Sequence, residues 1–427
     1  MGNKPAQNPA TKTAGRSSDP RTAEASARIA AHYKRLLAGA PARGGEGGGF
    51  ESLAIEATTM EPDLSRGAVD ERIDAVRADL HRIVREHLGD KPELYEIADA
   101  IANSGKPALE SVRDQDPATL MNREILAGLE VIVRTDGSRP SFMVRNGEPD
   151  RTTSPLGTWA STLDDSAELL RGAVACVGRI DNPSGSQGFQ GTGILVQENL
   201  AITNRHVLQA IAVENANGSF NLKPNIAIDF GHEFRAQDSL RRRAIKGVVF
   251  AGAKPINPNA IDHNKFDLAL LELAPAAQPP EPVLALDLAP DWGQNETGLF
   301  IVGYPGNPGP FGDSPTLLEK LFRSTFGCKR VAPGLVTTTA GNMAESPRHW
   351  TLGHDATTLG GNSGSAVLVI GREKVTAGLH YGGRRADPRE NWCHVLGLTL
   401  DETDGRSAKT LRQHLQERGV ELVDRLQ

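Results

Sequence analysis

The sequence predicts a mainly β, barrel-type protein preceded by a small α-helical N-terminal region. Two observations carry that reading. From Arg171 onward, short apolar runs alternate with gaps punctuated by Gly and Pro, the pattern of short paired strands. Before that point, apolar residues recur at helical rather than strand spacing, most clearly between Val69 and Ile83.

In chain order, residues 1–49 read as disordered or linker with one short helix. Met1 to Pro20 is polar and lacks the apolar centre of a secretory signal. Gly2 follows Met1, but Ala6 fails the myristoylation pattern. A helix is expected over Thr22 to Leu37, and the run from Ala40 to Gly49 reads as a flexible linker. Residues 50–135 read as a helical regulatory or partner-binding region, with plain packing against the rest of the chain as the equal alternative. Val69, Ile73, Val76, Leu80 and Ile83 form one apolar seam, with Gly89 as C-cap. A second short helix turns Leu94, Ile97, Ala98 and Ile101 inward and is expected to stop at Asn103-Ser104-Gly105. Asp116-Pro117 is expected to open a third, running to about Val133.

Residues 136–168, rich in Gly, Pro, Ser and Asp, read as a linker with one strand-like piece, Ser141 to Arg145. The strands of residues 169–405 are expected at Ala173 to Ile180, Gly193 to Val196, Ala201 to Thr203, Ile226 to Phe230 and Lys246 to Phe250. Arg241-Arg242-Arg243 reads as the solvated edge of a strand rather than a phosphate site. Residues 406–427 read as a C-terminal helix, with Leu411 and Leu415 one turn apart.

Composition narrows the function. A net charge of −6 and only 5% aromatic residues argue against a nucleic-acid partner. No apolar run is long enough to span a membrane. Three scattered cysteines, Cys176, Cys328 and Cys393, suit reduced thiols in a cytoplasmic protein. His232-Glu233 lacks the second histidine of a zinc motif, so neither a metal nor another cofactor is expected.

The chemistry lies in three stretches. Thr358-Leu359-Gly360-Gly361-Asn362-Ser363-Gly364-Ser365 is a glycine-flanked serine before an apolar run. Glycines permit a tight turn that aims the N–H groups of Gly361 and Ser363 at one point, where an oxyanion would sit. A serine hydroxyl needs an adjacent base. Leu200-Ala201-Ile202-Thr203-Asn204-Arg205-His206 supplies a histidine at a strand end, and Phe266-Asp267-Leu268-Ala269-Leu270 a carboxylate to orient it. Asp267 is preferred over Asp262 because it opens the apolar run directly.

The order His206, Asp267, Ser363 is that of the chymotrypsin family, and roughly Arg171 to Leu400 resembles trypsin-like serine peptidases. Gly191-Thr192-Gly193-Ile194-Leu195-Val196 and Thr203-Asn204-Arg205-His206-Val207 resemble their first barrel. Val302-Gly303-Tyr304-Pro305-Gly306 and the serine motif are similar to the bacterial branch containing glutamyl endopeptidases. The resemblance implies two six-stranded antiparallel barrels with the triad between them. It also implies a substrate pocket at Thr357, Thr358, His380, Tyr381 and Gly383, with cleavage after Glu first and Gln or Asp second. Trypsin's basic-residue pocket has an aspartate where Thr357 stands; Asp355, in the same loop, could turn inward and restore that preference. Asn362 replaces the aspartate that trypsin pairs with a newly cut N-terminus, so control is expected from the helices or a partner, and a chain starting near Asp165 is expected to stay active. The stretch before the barrels resembles multidomain bacterial peptidases of anti-phage systems. The expected partners are a protein or peptide substrate and a regulatory protein on the helices; the rival readings are an inactive trypsin-like binding module and a helical adaptor.

Overall fold

The computed structural model describes residues 30, 34, 63–87, 90–114, 138–235, 241–257, 262–276, 282–308, 318, 321–343, 348–384 and 390–424. The expected third helix, Gly89, the linker from Ala40 to Gly49 and nearly all of residues 1–62 lie outside them.

Two helices, Arg66–His87 and Pro92–Asp114, pack face to face. Val69, Ile73, Val76 and Leu80 are buried as the seam requires, joined by Val84; the side chain of Ile83 lies outside the described ones. The second helix does not stop at Asn103-Ser104-Gly105 but continues through Pro107 to Asp114. Gly105, Ala108, Leu109 and Val112 are all buried on its inner face. Their packing outweighs the local helix-stop signal, since tertiary context overrides propensity. Together with Ala30 and Leu64 these helices form a core separate from that of the barrels.

Residues 138–168, expected as a linker, are built into the barrel domain. Strands β1 (Phe142–Arg145) and β2 (Glu148–Asp150) form a hairpin, followed by helices Ala160–Asp165 and Ala167–Ala175. Phe142, Met143 and Val144 are fully buried, so the polar composition reports turns rather than exposure. Ala173 to Ala175, expected as strand, end a helix.

The remaining strands are β3 (Val177–Asp181), β4 (Phe189–Gln197), β5 (Leu200–Thr203), β6 (Ala212–Glu214), β7 (Phe220–Leu222), β8 (Ala227–Asp229), β9 (Arg242–Ala251) and β10 (Ala269–Leu273). They continue with β11 (Ala285–Asp287), β12 (Gly298–Gly303), β13 (Arg330–Thr338), β14 (Thr351–His354), β15 (Ala366–Val369), β16 (Val375–Thr376), β17 (Gly378–Arg384), β18 (Glu390–Val395) and β19 (Leu422–Val423). The first barrel closes in the order β10-β5-β4-β3-β8-β9, with β9 back on β10. The second runs β12-β15-β17-β18-β14-β13 and closes β13 onto β12; β1 and β2 extend it from β13. Two six-stranded antiparallel barrels are therefore present, as expected. Closure leaves no free edge at β9. Along β9 side chains alternate between faces: Arg242 is exposed as expected, whereas Arg243 is buried and its guanidinium donates to the carbonyls of Glu198 and Ala274. The C-terminal helix is shorter than expected, Leu411–Glu417, with Thr410 and Gln413 forming a capping box. Leu411 and Leu415 are buried, and the chain then adds β19 in parallel to β11.

Candidate active site

Strand β5 ends at Thr203, and Asn204 in extended conformation opens the short helix Arg205–Ile211 that carries His206. The Asn204 side chain donates to the carbonyl of Asp267 (2.8 Å), tying this turn to the segment that enters β10. Asp267 then meets His206 at two points. One carboxylate oxygen lies 2.6 Å from Nδ1, and the other accepts the His206 main-chain N–H at 2.9 Å. Burial opposes charge on both groups, but each partner's charge and hydrogen bonds outweigh it. Asp267 is held below the usual carboxylate range and His206 above the usual imidazole range.

Ser363 comes from the other barrel, on the loop before β15. Gly361 and Gly364 both have positive φ, at 95° and 88°. At Gly364 a Cβ would fall 2.0 Å from the Thr192 carbonyl oxygen, so only glycine fits. Its N–H donates to the His380 carbonyl (2.9 Å), while the Ser363 carbonyl accepts from the Thr192 N–H (2.8 Å). The serine's main chain thus bridges both barrels. Thr192 adds a second tie: its hydroxyl donates to the Gly361 carbonyl (3.0 Å) and accepts from the Tyr304 N–H (3.1 Å). The Gly360 carbonyl is held by the Gly306 N–H at 2.6 Å. A trans peptide then directs the Gly361 N–H the opposite way.

His206, Asp267 and Ser363 line one cavity of about 210 Å³, together with Asp262, Lys265, Tyr381 and Gly383. Asp262 is at the wall of this cavity, whereas the bonds to His206 belong to Asp267.

The residues expected in the specificity pocket divide. The Thr357 hydroxyl is buried and donates to the carbonyl of Arg139 (2.7 Å). Thr358 donates to Asn391 Oδ1 (2.8 Å), an orientation fixed because Asn391 Nδ2 donates to the Ala356 carbonyl (2.7 Å). His380 is buried, with its Nδ1 3.1 Å from Nε2 of His354. Burial pushes His380 well below the ordinary imidazole pKa and His354 down to about 4, so both are neutral near pH 7. The Tyr381 hydroxyl meets Nδ1 of His263 at 2.6 Å. Asp355 does not turn into the cavity: its carboxylate is clamped by Arg139, at 2.7 and 2.9 Å, and takes the Leu335 N–H at 2.8 Å.

Sequence reasoning missed Arg139, Thr192, Asn204, His263 and His354. Thr192 and Asn204 stand within stretches already singled out. No local signal marks Arg139 or His354, whose partners are distant in the chain.

A histidine–aspartate pair from one barrel and a glycine-bracketed serine from the other, facing a common cavity, define a serine hydrolase of the double-barrel type. Residues 191–376 match the family described as a trypsin-like peptidase domain. A Lysobacter enzymogenes protein described as a probable serine protease is 30% identical over 270 residues, covering 60% of this chain and 69% of that one. The chain belongs to the trypsin-like peptidase family and is a hydrolase of the serine protease class. Among solved structures, mouse neuropsin, a serine protease expressed in the limbic system of the brain, is similar at 14% identity and a TM-score of 0.37, over 53% of this chain and 91% of its own. The Rv3671c protease in its inactive form, from M. tuberculosis, is similar at 15% identity and a TM-score of 0.32, over 60% of this chain and 93% of its own.

Proposed function

We propose that the protein is an endopeptidase acting through His206, Asp267 and Ser363, with a preference for cleavage after Glu. The observation that carries this is the two-point contact of Asp267 on His206, across one cavity from Ser363. In this mechanism Asp267 keeps the proton on Nδ1, so Nε2 is free to take the Ser363 proton as the hydroxyl attacks a peptide carbonyl. The N–H groups of Gly361 and Ser363 receive the oxyanion. His206 returns the proton to the leaving amine, and water repeats the sequence on the acyl-enzyme.

The preference for Glu rests on His380. His354 Nδ1 is buried and has no hydrogen-bond partner among the described residues. A buried lone pair without a partner is tolerated better than a buried N–H without one. The favoured tautomer therefore has His354 Nε2–H donating to His380 Nδ1. That leaves the Nε2–H of His380 as a donor for a substrate carboxylate or amide oxygen. With Asp355 neutralised by Arg139, no free carboxylate in the loop is offered to Lys or Arg.

Cys176, Cys328 and Cys393 are buried and not joined in disulfides, which suits a reducing, cytoplasmic setting. The separate core of the helix pair suits a docking module for a regulatory protein, as in a bacterial defence or signalling system.

Ser363→Ala should abolish both turnover and labelling by a fluorophosphonate while leaving thermal unfolding unchanged. A peptide-library profile should peak at Glu, and His380→Ala should flatten it. A profile dominated by Lys or Arg would remove the Glu assignment and leave the triad assignment standing. Undiminished turnover by Ser363→Ala would remove the triad assignment.

A further inference from the structure

The segment before the barrels reaches the loop that leads into the serine, and Arg139 makes the contact. Arg139 is 1% exposed and sits 216 positions from Asp355 in sequence, yet its guanidinium binds the Asp355 carboxylate with two parallel hydrogen bonds. The main chain of the same residue makes a second contact, accepting the Thr357 hydroxyl at 2.7 Å. One residue therefore holds both neighbours of Ala356, itself fully buried. Arg139 is fixed in turn: its Nη1 donates to the Ser138 carbonyl (2.6 Å), which also accepts Nε1 of Trp159 (2.8 Å), and the Trp159 ring lies 5.8 Å from the guanidinium. The following residues enter β1, which is paired to β13.

Residues 355–358 lie between His354, the partner of His380, and the glycines that set Ser363. From Ala356 the chain of contacts continues to Asn391 and back to Thr358. A loop without regular hydrogen bonding takes its shape from such side-chain ties. The planar, five-donor fork of arginine suits this role better than any other cation.

We propose that Arg139 is a positioning residue for the specificity pocket: by holding Asp355 and Thr357 it sets the wall that faces the side chain of the residue cleaved. Arg139 touches neither the substrate nor the reacting atoms. The proposal rests on the pocket reading given above, but not on Glu being the residue preferred. It also corrects the expected boundary. A chain beginning near Asp165 would lack Arg139 and leave the Asp355 carboxylate buried without this counter-charge, so the catalytic unit includes Ser138 and Arg139.

The test pairs two reactions of the full chain. Hydrolysis of the best library peptide needs the pocket; acylation by p-nitrophenyl acetate needs only the nucleophile, its base and the oxyanion site. Removing one partner of a buried ion pair strands the other charge, so the variants are the charge-balanced double Arg139→Met/Asp355→Asn and the uncharged Thr357→Val. In both, kcat/KM on the peptide should fall roughly 10- to 100-fold, the scale expected for misplacement of about 1 Å. The library profile should flatten while p-nitrophenyl acetate acylation stays near wild type. Arg139→Lys should fall between. A peptide rate and profile unchanged in folded variants would overturn the proposal, as would a parallel loss of both reactions. A wild-type profile peaking at a residue other than Glu would defeat the Glu assignment alone. Flattening of that peak in the variants would still support Arg139.

Discussion

Replacing Asp267 by Asn should silence the enzyme without unfolding it, and the geometry says why. The carboxylate has two separate tasks, one oxygen accepting the His206 main-chain N–H at 2.9 Å and the other facing Nδ1 at 2.6 Å. An amide has one acceptor and one donor. Its oxygen must stay on the main-chain N–H, which cannot accept, so its NH₂ is forced toward Nδ1. Nδ1 then becomes the acceptor, the ring proton moves to Nε2, and His206 has no lone pair left for the Ser363 proton. A wrong tautomer of this kind costs roughly 10⁴ in kcat in enzymes of this design, or about 5 kcal/mol of transition-state stabilisation. Both hydrogen bonds survive in form, so thermal unfolding should move little. The assay is kcat on the best library peptide, with Asp262→Asn as the control that should stay close to wild type. Loss in Asp262→Asn with Asp267→Asn active would refute the reasoning, and so would Asp267→Asn retaining more than about a tenth of wild-type kcat.

Two further outcomes follow from the structure. Gly364→Ala should fail to give folded, active protein, because its Cβ would meet the Thr192 carbonyl at 2.0 Å; Gly371→Ala, also at positive φ but facing open space, should cost only about 1–2 kcal/mol in urea unfolding. Acid should weaken the fold through His354 and His394, each buried and lowered to about 4. The unfolded chain protonates both below about pH 6.5 while the native form resists until near pH 4. Their stability is therefore intact above pH 6.5 and falls by about 2 kcal/mol each by pH 5. Replacing His394 with Leu should shrink the drop in Tm between pH 7 and pH 5, and an unchanged drop would exclude this residue as a source.

What could be read from the sequence was whatever is encoded locally. The serine turn was legible because glycine at Gly361 and Gly364 has a conformational cause. His206 and Asp267 were legible because each stands at the end of an apolar run that must be a strand. The barrels followed from the same punctuation. The clamp of Arg139 on Asp355 was not legible, since a charge in a sequence carries no sign of a partner half a chain away. Residues 138–168 were misjudged for a related reason: Gly, Pro and Asp report that the chain turns, not whether it is covered. At Gly105 and Pro107 local rules pointed to a helix end, but a buried seam on one face kept the helix going.

The stitching of the serine loop bears on when activity can first exist during synthesis. His206 and Asp267 can meet once the first barrel has been made. Ser363 takes its place only when its carbonyl finds Thr192 and the next N–H finds the carbonyl of His380. That residue belongs to a strand needing β15 and β18 as neighbours. A chain that carries all three residues but has not closed the second barrel lacks the ties that hold the main chain of Ser363. The proposed triad therefore depends on completion of the second barrel and not merely on the presence of its three residues in the chain.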